Sequence, residues 1–181
     1  MGENEHIIEV LKSSTPFNTL PEPLLARIAA FGRPAHYRAG ETIYESGSAA
    51  EDIFLILRGE VNHSFDPEVA VARELTKTVG PGAVFGWAAL LKEPVNPEPR
   101  QRLAKTLSLS DSDILIIDAQ QLITALASIP GAKESFMNRI TSVVRHLYGF
   151  AGFVKVGDKF LPAYIPSSDA SVPHEYDTFA F

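Results

Sequence analysis

The chain has 181 residues, of which 45% are hydrophobic and 21% charged, and its formal net charge is −6 at pH 7. This length suits one well-cored domain with appendages, and the composition is ordinary for a folded protein. The chain has no cysteine, which excludes disulfides, thiolate nucleophiles and cysteine-ligated metals. The acidic balance opposes binding to nucleic-acid phosphates. The N-terminus lacks an apolar run typical of a signal peptide or membrane span, so we expect a soluble, cytoplasmic protein.

The sequence pattern of residues 1–34 predicts an N-terminal helical segment. Its first helix has a short apolar face and is broken by serine, threonine and proline at 13–16. A second helix fits Glu22 to Phe31, where large apolar residues recur at helical spacing. Gly32 and Pro34 then end it.

Residues 35–118 predict short strands, because brief apolar stretches alternate there with glycines. Such spacing favours a sandwich or barrel. The predicted strands are Thr42–Tyr44, Ile53–Leu57, Val69–Leu75, Val84–Phe85, Leu103–Leu109 and Ile114–Ile117.

Residues 119–152 predict two C-terminal helices, the first capped by Asp118 and the second starting at Lys133. The apolar stripe of residues 133–150 fits either core packing against the strands or a homodimer seam. Residues 153–181 form a tail rich in aromatic residues and proline, which suits either packing on the domain or display to a partner. Its prolines leave no room for a recognition helix, so direct nucleic-acid binding is not expected.

The strand region resembles the cyclic-nucleotide-binding domain family, whose familiar members are the catabolite activator protein and the regulatory subunits of cAMP-dependent kinase. The residues that carry the likeness are Gly40–Ile43, Gly47, Ile53–Val61 and Gly80–Leu91. The resemblance covers about residues 16–150 and lacks a helix-turn-helix domain. It implies a mainly β fold: an antiparallel β-roll (a jelly roll, or double-stranded β-helix) with N-terminal helices and a C-terminal helix.

The resemblance also implies a phosphate-binding cassette. In the family, the amides of a short helix hold the cyclic phosphate and an arginine neutralises its charge. Pro99-Arg100 matches the family's Pro-Arg dipeptide, whereas Arg102-Leu103-Ala104 matches the spacing into the next strand, so both arginines are candidates. Arginine is suited to bidentate binding of phosphate. The candidate ligand-binding residues are Phe85, Gly86, Trp87, Ala88, Ala89, Arg100, Arg102, Leu103 and Ala104.

The cassette departs from the family at Trp87, where the family has a glutamate that accepts a hydrogen bond from the ribose 2′-hydroxyl. An indole N–H only donates, and the loss of such an acceptor costs about 1.5–3 kcal/mol. Trp87 fits two roles, filling the ribose end of the pocket as core or stacking on a ligand. Glu93 and Glu98, in a loop longer than the family's, are candidate substitute acceptors.

No catalytic or metal-binding motif is present. The five histidines are scattered without metal-ligand spacing, and neither a nucleophile elbow nor a phosphate-binding glycine loop of nucleotide hydrolases occurs. We therefore expect a regulatory protein, not an enzyme, that requires no cofactor and binds cAMP, cGMP or a related small anion. The alternative is a ligand-free scaffold that acts through its C-terminal helix or tail. Trp87 filling a cavity beside Arg102 would favour that alternative.

Overall fold

Two antiparallel sheets make up the centre of the protein in a computed structural model, which describes residues 2–65, 76–90, 100–102, 104–148, 150–156 and 159–164. One sheet has the strand order β1-β8-β3-β6 and the other the order β2-β7-β4-β5. The strands are β1 (Arg33–Tyr37), β2 (Thr42–Tyr44), β3 (Asp52–Arg58), β4 (Val61–Phe65), β5 (Thr76–Val79), β6 (Val84–Phe85), β7 (Ala104–Ser108) and β8 (Ser112–Asp118). The predicted antiparallel β-roll is confirmed.

Four helices flank the roll: α1 (Glu3–Ser13), α2 (Glu22–Phe31), α3 (Ala119–Ala127) and α4 (Ala132–Tyr148). The Asp118 side chain caps α3 by accepting from the backbone N–H of Gln121 at 2.7 Å, as the sequence predicts. Phe17, which follows α1, contacts Phe136 of α4 with ring centroids 5.5 Å apart. This contact ties the N-terminal and C-terminal helices together. Among the described residues, no helix is both long and apolar enough to cross a membrane.

Strand β3 separates two buried clusters, because alternate side chains of a strand point to opposite faces. Ile53 and Leu55 belong to a helix-facing cluster that includes apolar residues of all four helices. Phe54 and Ile56 belong to a roll-interior cluster, to which both sheets contribute. Both faces of β3 are thus buried, which explains its nearly continuous apolar sequence. The roll-interior cluster comprises Tyr44, Phe54, Ile56, Val61, Val79, Ala83, Phe85 and Ile114.

The structure adds elements that the sequence did not predict. Strands β4 and β5 are polar or mixed in sequence, so neither stands out as an apolar stretch. A hairpin of β9 (Phe150–Val156) and β10 (Lys159–Tyr164) lies where the sequence predicts the end of a helix and the start of the tail. The predicted strand Val69–Leu75 lies outside the described residues.

A surface ion cluster joins three strands of the first sheet. Asp113 of β8 accepts from Arg58 Nε at 2.6 Å, and its other oxygen lies 2.8 Å from His36 Nδ1. The hydrogen bonds from Arg58 and His36 lower the pKa of Asp113 below its ordinary value. A carboxyl group whose pKa is lowered in the folded state stabilises the protein at pH values above the pKa that the group has in the unfolded chain. That contribution is lost as the pH falls through the folded-state pKa.

Replacing Asp113 with asparagine should therefore destabilise the protein at pH 7, by less than about 1 kcal/mol because the pair is exposed. The difference in free energy of unfolding between the variant and the wild type should shrink as the pH falls below about 4, where carboxyl groups protonate. Urea denaturation at pH 7 and pH 3 measures both effects, with Glu60→Gln, an exposed acidic residue, as the control. A difference that is the same at both pH values would contradict this assignment.

Candidate functional site

The predicted cassette begins with a short turn that follows β6 and is built on a glycine. Gly86 has φ +84°, a left-handed conformation that side-chain-bearing residues rarely adopt. The 3₁₀ turn Trp87–Ala89 follows, and the amide of Ala89 donates to the Gly86 carbonyl at 3.2 Å. All three residues of this turn are buried in the helix-facing cluster. The turn is therefore held in place by packing on the helix side.

Backbone pairing places Arg102 next to this turn. The loop before β3 runs alongside residues 100–102 and exchanges hydrogen bonds with them. The Gly47 amide donates to the Arg102 carbonyl at 2.8 Å, and the Arg102 amide donates to the Ser48 carbonyl at 2.8 Å. The Ala50 amide donates to the Arg100 carbonyl at 2.9 Å. These contacts fix where the Arg102 side chain enters the roll.

The Arg102 guanidinium is buried inside the roll, with only 4% of the residue exposed. Its Nη1 donates to the Gly86 carbonyl at 3.0 Å, and its Nη2 donates to the Asp52 carbonyl at 2.7 Å. Its central carbon lies 4.6 Å from the centroid of the Tyr44 ring and 5.2 Å from that of Phe54. Burial lowers the pKa of Arg102 below its ordinary value, because the low-dielectric surroundings disfavour the charged form.

The Arg102 cation has no anionic partner in the described part of the chain. No carboxylate oxygen among those residues lies within 4.0 Å of it. Carbonyl dipoles and aromatic faces stabilise a guanidinium, but a buried charge is ordinarily paired. The arrangement therefore suits an anion that approaches the guanidinium from within the roll.

Arg100 contacts the other end of the same turn. Its Nη1 donates to the Ala89 carbonyl at 2.9 Å, and its side chain is less buried than that of Arg102. The structure thus brings both predicted arginines to the turn, Arg102 at its start and Arg100 at its end. Ala104 is fully buried in β7, whereas Leu103 lies outside the described residues.

The Gly86 position leaves no space for a side chain. A Cβ atom there would lie 2.8 Å from Phe54 Cδ2 and 2.9 Å from Arg102 Nη1. Phe54 is itself held by stacking on Phe85, with centroids 5.0 Å apart and an interplanar angle of 12°. The close approach of the Gly86 backbone to Arg102 therefore depends on glycine.

Replacing Gly86 with alanine should destabilise the protein by more than replacing Gly40, which has a similar φ of +86° but open space around it. The strained backbone alone costs about 1–2 kcal/mol in each variant. The contacts with Phe54 and Arg102 add a further cost only at Gly86. Urea denaturation of the two variants measures the difference, and equal destabilisation would contradict the close contact.

Trp87 is fully buried, but it lies in the helix-facing cluster. The aromatic rings against the Arg102 guanidinium are instead those of Tyr44 and Phe54, in the roll-interior cluster. The sequence allows two roles for Trp87, filling the ribose end of the pocket or stacking on a ligand. The structure instead packs its side chain with the helices, and its contact with a ligand stays a prediction. The candidate acceptors Glu93 and Glu98 lie outside the described residues.

Sequence reasoning missed the polar residues that line the roll interior. His63 and Thr106 are fully buried, and His63 Nδ1 lies 2.6 Å from Thr106 Oγ1. Tyr44 completes this group, with its hydroxyl oxygen 3.4 Å from His63 Nδ1. Side chains two positions apart on a strand point to the same face. His63 follows the buried Val61 by two positions and Thr106 follows the buried Ala104 by two, and this alternation could have identified both as interior residues. No group of three metal-ligating side chains occurs among the residues that the structure describes.

Comparisons with known proteins agree with this fold. The chain is 23% identical over 138 residues to one of the cyclic nucleotide-gated cation channel proteins of Drosophila melanogaster, matching 76% of this chain and 20% of that protein. The chain thus spans about a fifth of the length of that relative. The regulatory domain of Toxoplasma gondii PKA, solved with cAMP, has a TM-score of 0.60 at 24% identity, covering 81% of this chain and 52% of that one.

The sensor domain of the transcriptional regulator DNR from Pseudomonas aeruginosa has a TM-score of 0.65 at 12% identity, covering 86% of this chain and all of that one. A model of the cyclic nucleotide-binding domain matches residues 34–128, which is just over half of the chain and includes the Gly86 turn and both arginines. The chain belongs to the cyclic nucleotide-binding domain family.

Proposed function

We propose that this chain is a regulatory sensor domain that binds a small anionic ligand, cAMP, cGMP or a related molecule, at Arg102. The observation that carries the proposal is a buried guanidinium beside the Gly86 turn with no carboxylate partner among the described residues. Removing a charge from water is costly unless a partner compensates. An anion bound at Arg102 would supply that compensation.

The hydrogen-bonding capacity of Arg102 supports the proposal. A guanidinium carries five N–H groups, and two of them are used by the Gly86 and Asp52 carbonyls. Its Nε has no hydrogen-bond partner in the described part of the chain. Three donors therefore remain for a ligand, which is enough for bidentate binding of a phosphate or carboxylate.

The relatives support a cyclic nucleotide as the ligand. One is named a cyclic nucleotide-gated channel, and another was solved with cAMP. Family members of this kind regulate rather than catalyse, and we extend this role, in the cytoplasm, to the present chain. Arg100, at the far end of the Gly86 turn, would act as a second positive charge near the bound anion.

The helix α4 is the element through which binding would be transmitted. It contacts the N-terminal helices through Phe136, next to the cluster that holds the Gly86 turn. A ligand shifts such a helix only by binding one of its arrangements more tightly than the other. A homodimer seam over residues 133–150 is the route by which this shift would reach a second copy.

Isothermal titration calorimetry with cAMP and with cGMP tests the proposal. We expect saturable binding to the folded wild-type protein, with no dependence on added metal. Absence of binding of either nucleotide at millimolar concentration would reject a nucleotide ligand.

A ligand-free scaffold is the second candidate, and one observation favours it. The Tyr44 and Phe54 rings already lie against the Arg102 guanidinium and pack on each other, with centroids 5.4 Å apart. A filled interior of this kind would leave the C-terminal helix or tail as the functional surface. The same calorimetry separates the two candidates, since only the sensor binds small anions.

A further inference from the structure

A histidine is buried in the roll close to the Arg102 cation. His63 of β4 is fully buried, and its Nδ1 lies 2.6 Å from Thr106 Oγ1 and 3.4 Å from the Tyr44 hydroxyl oxygen. The imidazole meets the Tyr44 ring edge-on, with centroids 6.1 Å apart. The Arg102 guanidinium lies over the same ring, 4.6 Å from its centroid. The imidazole and the cation therefore pack on one aromatic side chain.

The hydrogen-bond partners of His63 suit both a neutral and a charged imidazole. A hydroxyl group both donates and accepts, so Thr106 and Tyr44 can each donate to a neutral ring nitrogen or accept from a protonated one. A carboxylate in their place would favour the charged form, because an anion stabilises a cation beside it. These hydrogen bonds therefore do not fix the charge of His63, and the electrostatic surroundings decide it.

Three features of these surroundings disfavour a charged imidazole. Burial raises the pKa of the neighbouring Tyr44 hydroxyl above its ordinary value, because a charged group loses its hydration there. Arg102, which stays protonated at physiological pH, places a like charge on the other side of the Tyr44 ring. On β5, Lys77 occupies the position that pairs with His63 in the sheet.

The remaining elements around His63 do not reverse this balance. Burial lowers the pKa of Arg102, and Tyr44, Asp52 and Glu51 offset that effect only in part. An anion bound at Arg102 would supply negative charge that both Arg102 and His63 experience. The described residues of the first sheet that belong to the roll-interior cluster are apolar: Phe54, Ile56, Phe85 and Ile114.

We propose that His63 is a proton-binding site coupled to the anion site at Arg102, so that the domain senses pH together with its ligand. This inference rests on the anion-binding function proposed above. An anion at Arg102 offsets the positive charge that opposes protonation of His63, so His63 takes up a proton when the anion binds. Because such coupling is reciprocal, the affinity for the anion rises as the pH falls through the range in which His63 titrates.

Calorimetry with cAMP and cGMP at pH 8 and pH 5.5 tests the coupling. A cyclic phosphodiester keeps one negative charge over this range, so the ligand itself does not titrate. The nucleotide that binds the wild type should bind about 5-fold more tightly at pH 5.5, as expected for unit charges on neighbouring side chains inside a protein. Titrations in buffers with different heats of ionisation should show proton uptake at pH 5.5.

Two histidine variants identify the group that takes up the proton. His63→Gln keeps a hydrogen-bonding side chain that does not titrate, so its affinity should be the same at both pH values. His36→Gln is the matched control, because His36 is an exposed histidine on β1, and it should keep the pH dependence of the wild type.

Each outcome bears on one of the two proposals. Equal wild-type affinity at both pH values, without proton uptake, would overturn the coupling and leave the anion site standing. A pH dependence that persists in His63→Gln would overturn the assignment to His63. If neither nucleotide binds the wild type at either pH, both proposals fall. Should His63→Gln not fold, NMR titration of the wild-type histidine rings decides, since one ring should titrate at higher pH with nucleotide bound, and no such shift would overturn the coupling.

Discussion

Replacing Arg102 with alanine is expected to lower the affinity for cAMP or cGMP about 100-fold or more. Three of the guanidinium N–H groups donate to no atom of the residues that the structure describes. The guanidinium also lies where solvent screening is weak. Truncating one member of a buried, hydrogen-bonded charge pair costs about 2–5 kcal/mol, and about 2.7 kcal/mol corresponds to 100-fold. Titration calorimetry of the wild type and the variant measures the loss.

Two matched variants identify the group responsible. Arg38→Ala removes the same charge from an exposed position and should leave the affinity unchanged. Arg100→Ala removes the arginine that contacts the Ala89 carbonyl and should weaken binding less than Arg102→Ala, because Arg100 is less buried. If Arg100→Ala abolished binding and Arg102→Ala did not, the anion would have to be assigned to Arg100 instead. Circular dichroism is the check that each variant is folded.

The fold was predictable where a residue type restricts the backbone to few conformations. Four of the glycines between the predicted strands, Gly40, Gly47, Gly59 and Gly82, have positive φ values. Helix α2 has the predicted bounds, because prolines mark its start and a glycine follows its end. Strand β4 escaped prediction because a strand with one face toward solvent and a histidine in its interior face shows no apolar stretch. The hairpin had a signal, the Gly157-Asp158 pair between alternating residues, which the proline-rich composition of the tail obscured.

The candidate site was predictable only in part, for a physical reason. Sequence spacing assigns Gly86 and the two arginines to one region, since they belong to neighbouring segments of a known motif. It does not show that the Tyr44 ring lies on the Arg102 guanidinium, because that contact joins residues 58 positions apart through the pairing of β2 with β7. The direction of the Trp87 side chain likewise depends on the left-handed conformation of Gly86. Tertiary packing, rather than local pattern, decides both.

Trp87→Glu restores the residue type that the family has at this position, but it is not expected to restore the family's ribose contact. The position 87 side chain belongs to the helix-facing cluster, on the other side of β3 from Tyr44 and Phe54. A carboxylate there would meet apolar residues of the helices rather than a ligand in the roll. The ratio of affinities for cAMP and 2′-deoxy-cAMP should therefore be the same in the variant as in the wild type.

The larger effect of Trp87→Glu should be on stability. Removing a fully buried tryptophan costs about 3–5 kcal/mol, and an unpaired polar group in its place adds a desolvation penalty. Because small domains have a free energy of unfolding of about 5–15 kcal/mol, the variant should unfold at much lower urea concentration or fail to fold. Trp87→Phe, which keeps the site apolar, should destabilise the protein less than Trp87→Glu. A folded Trp87→Glu protein that gains a preference for the 2′-hydroxyl would show instead that this side chain faces the ligand, and that the Gly86 turn rearranges when the ligand binds.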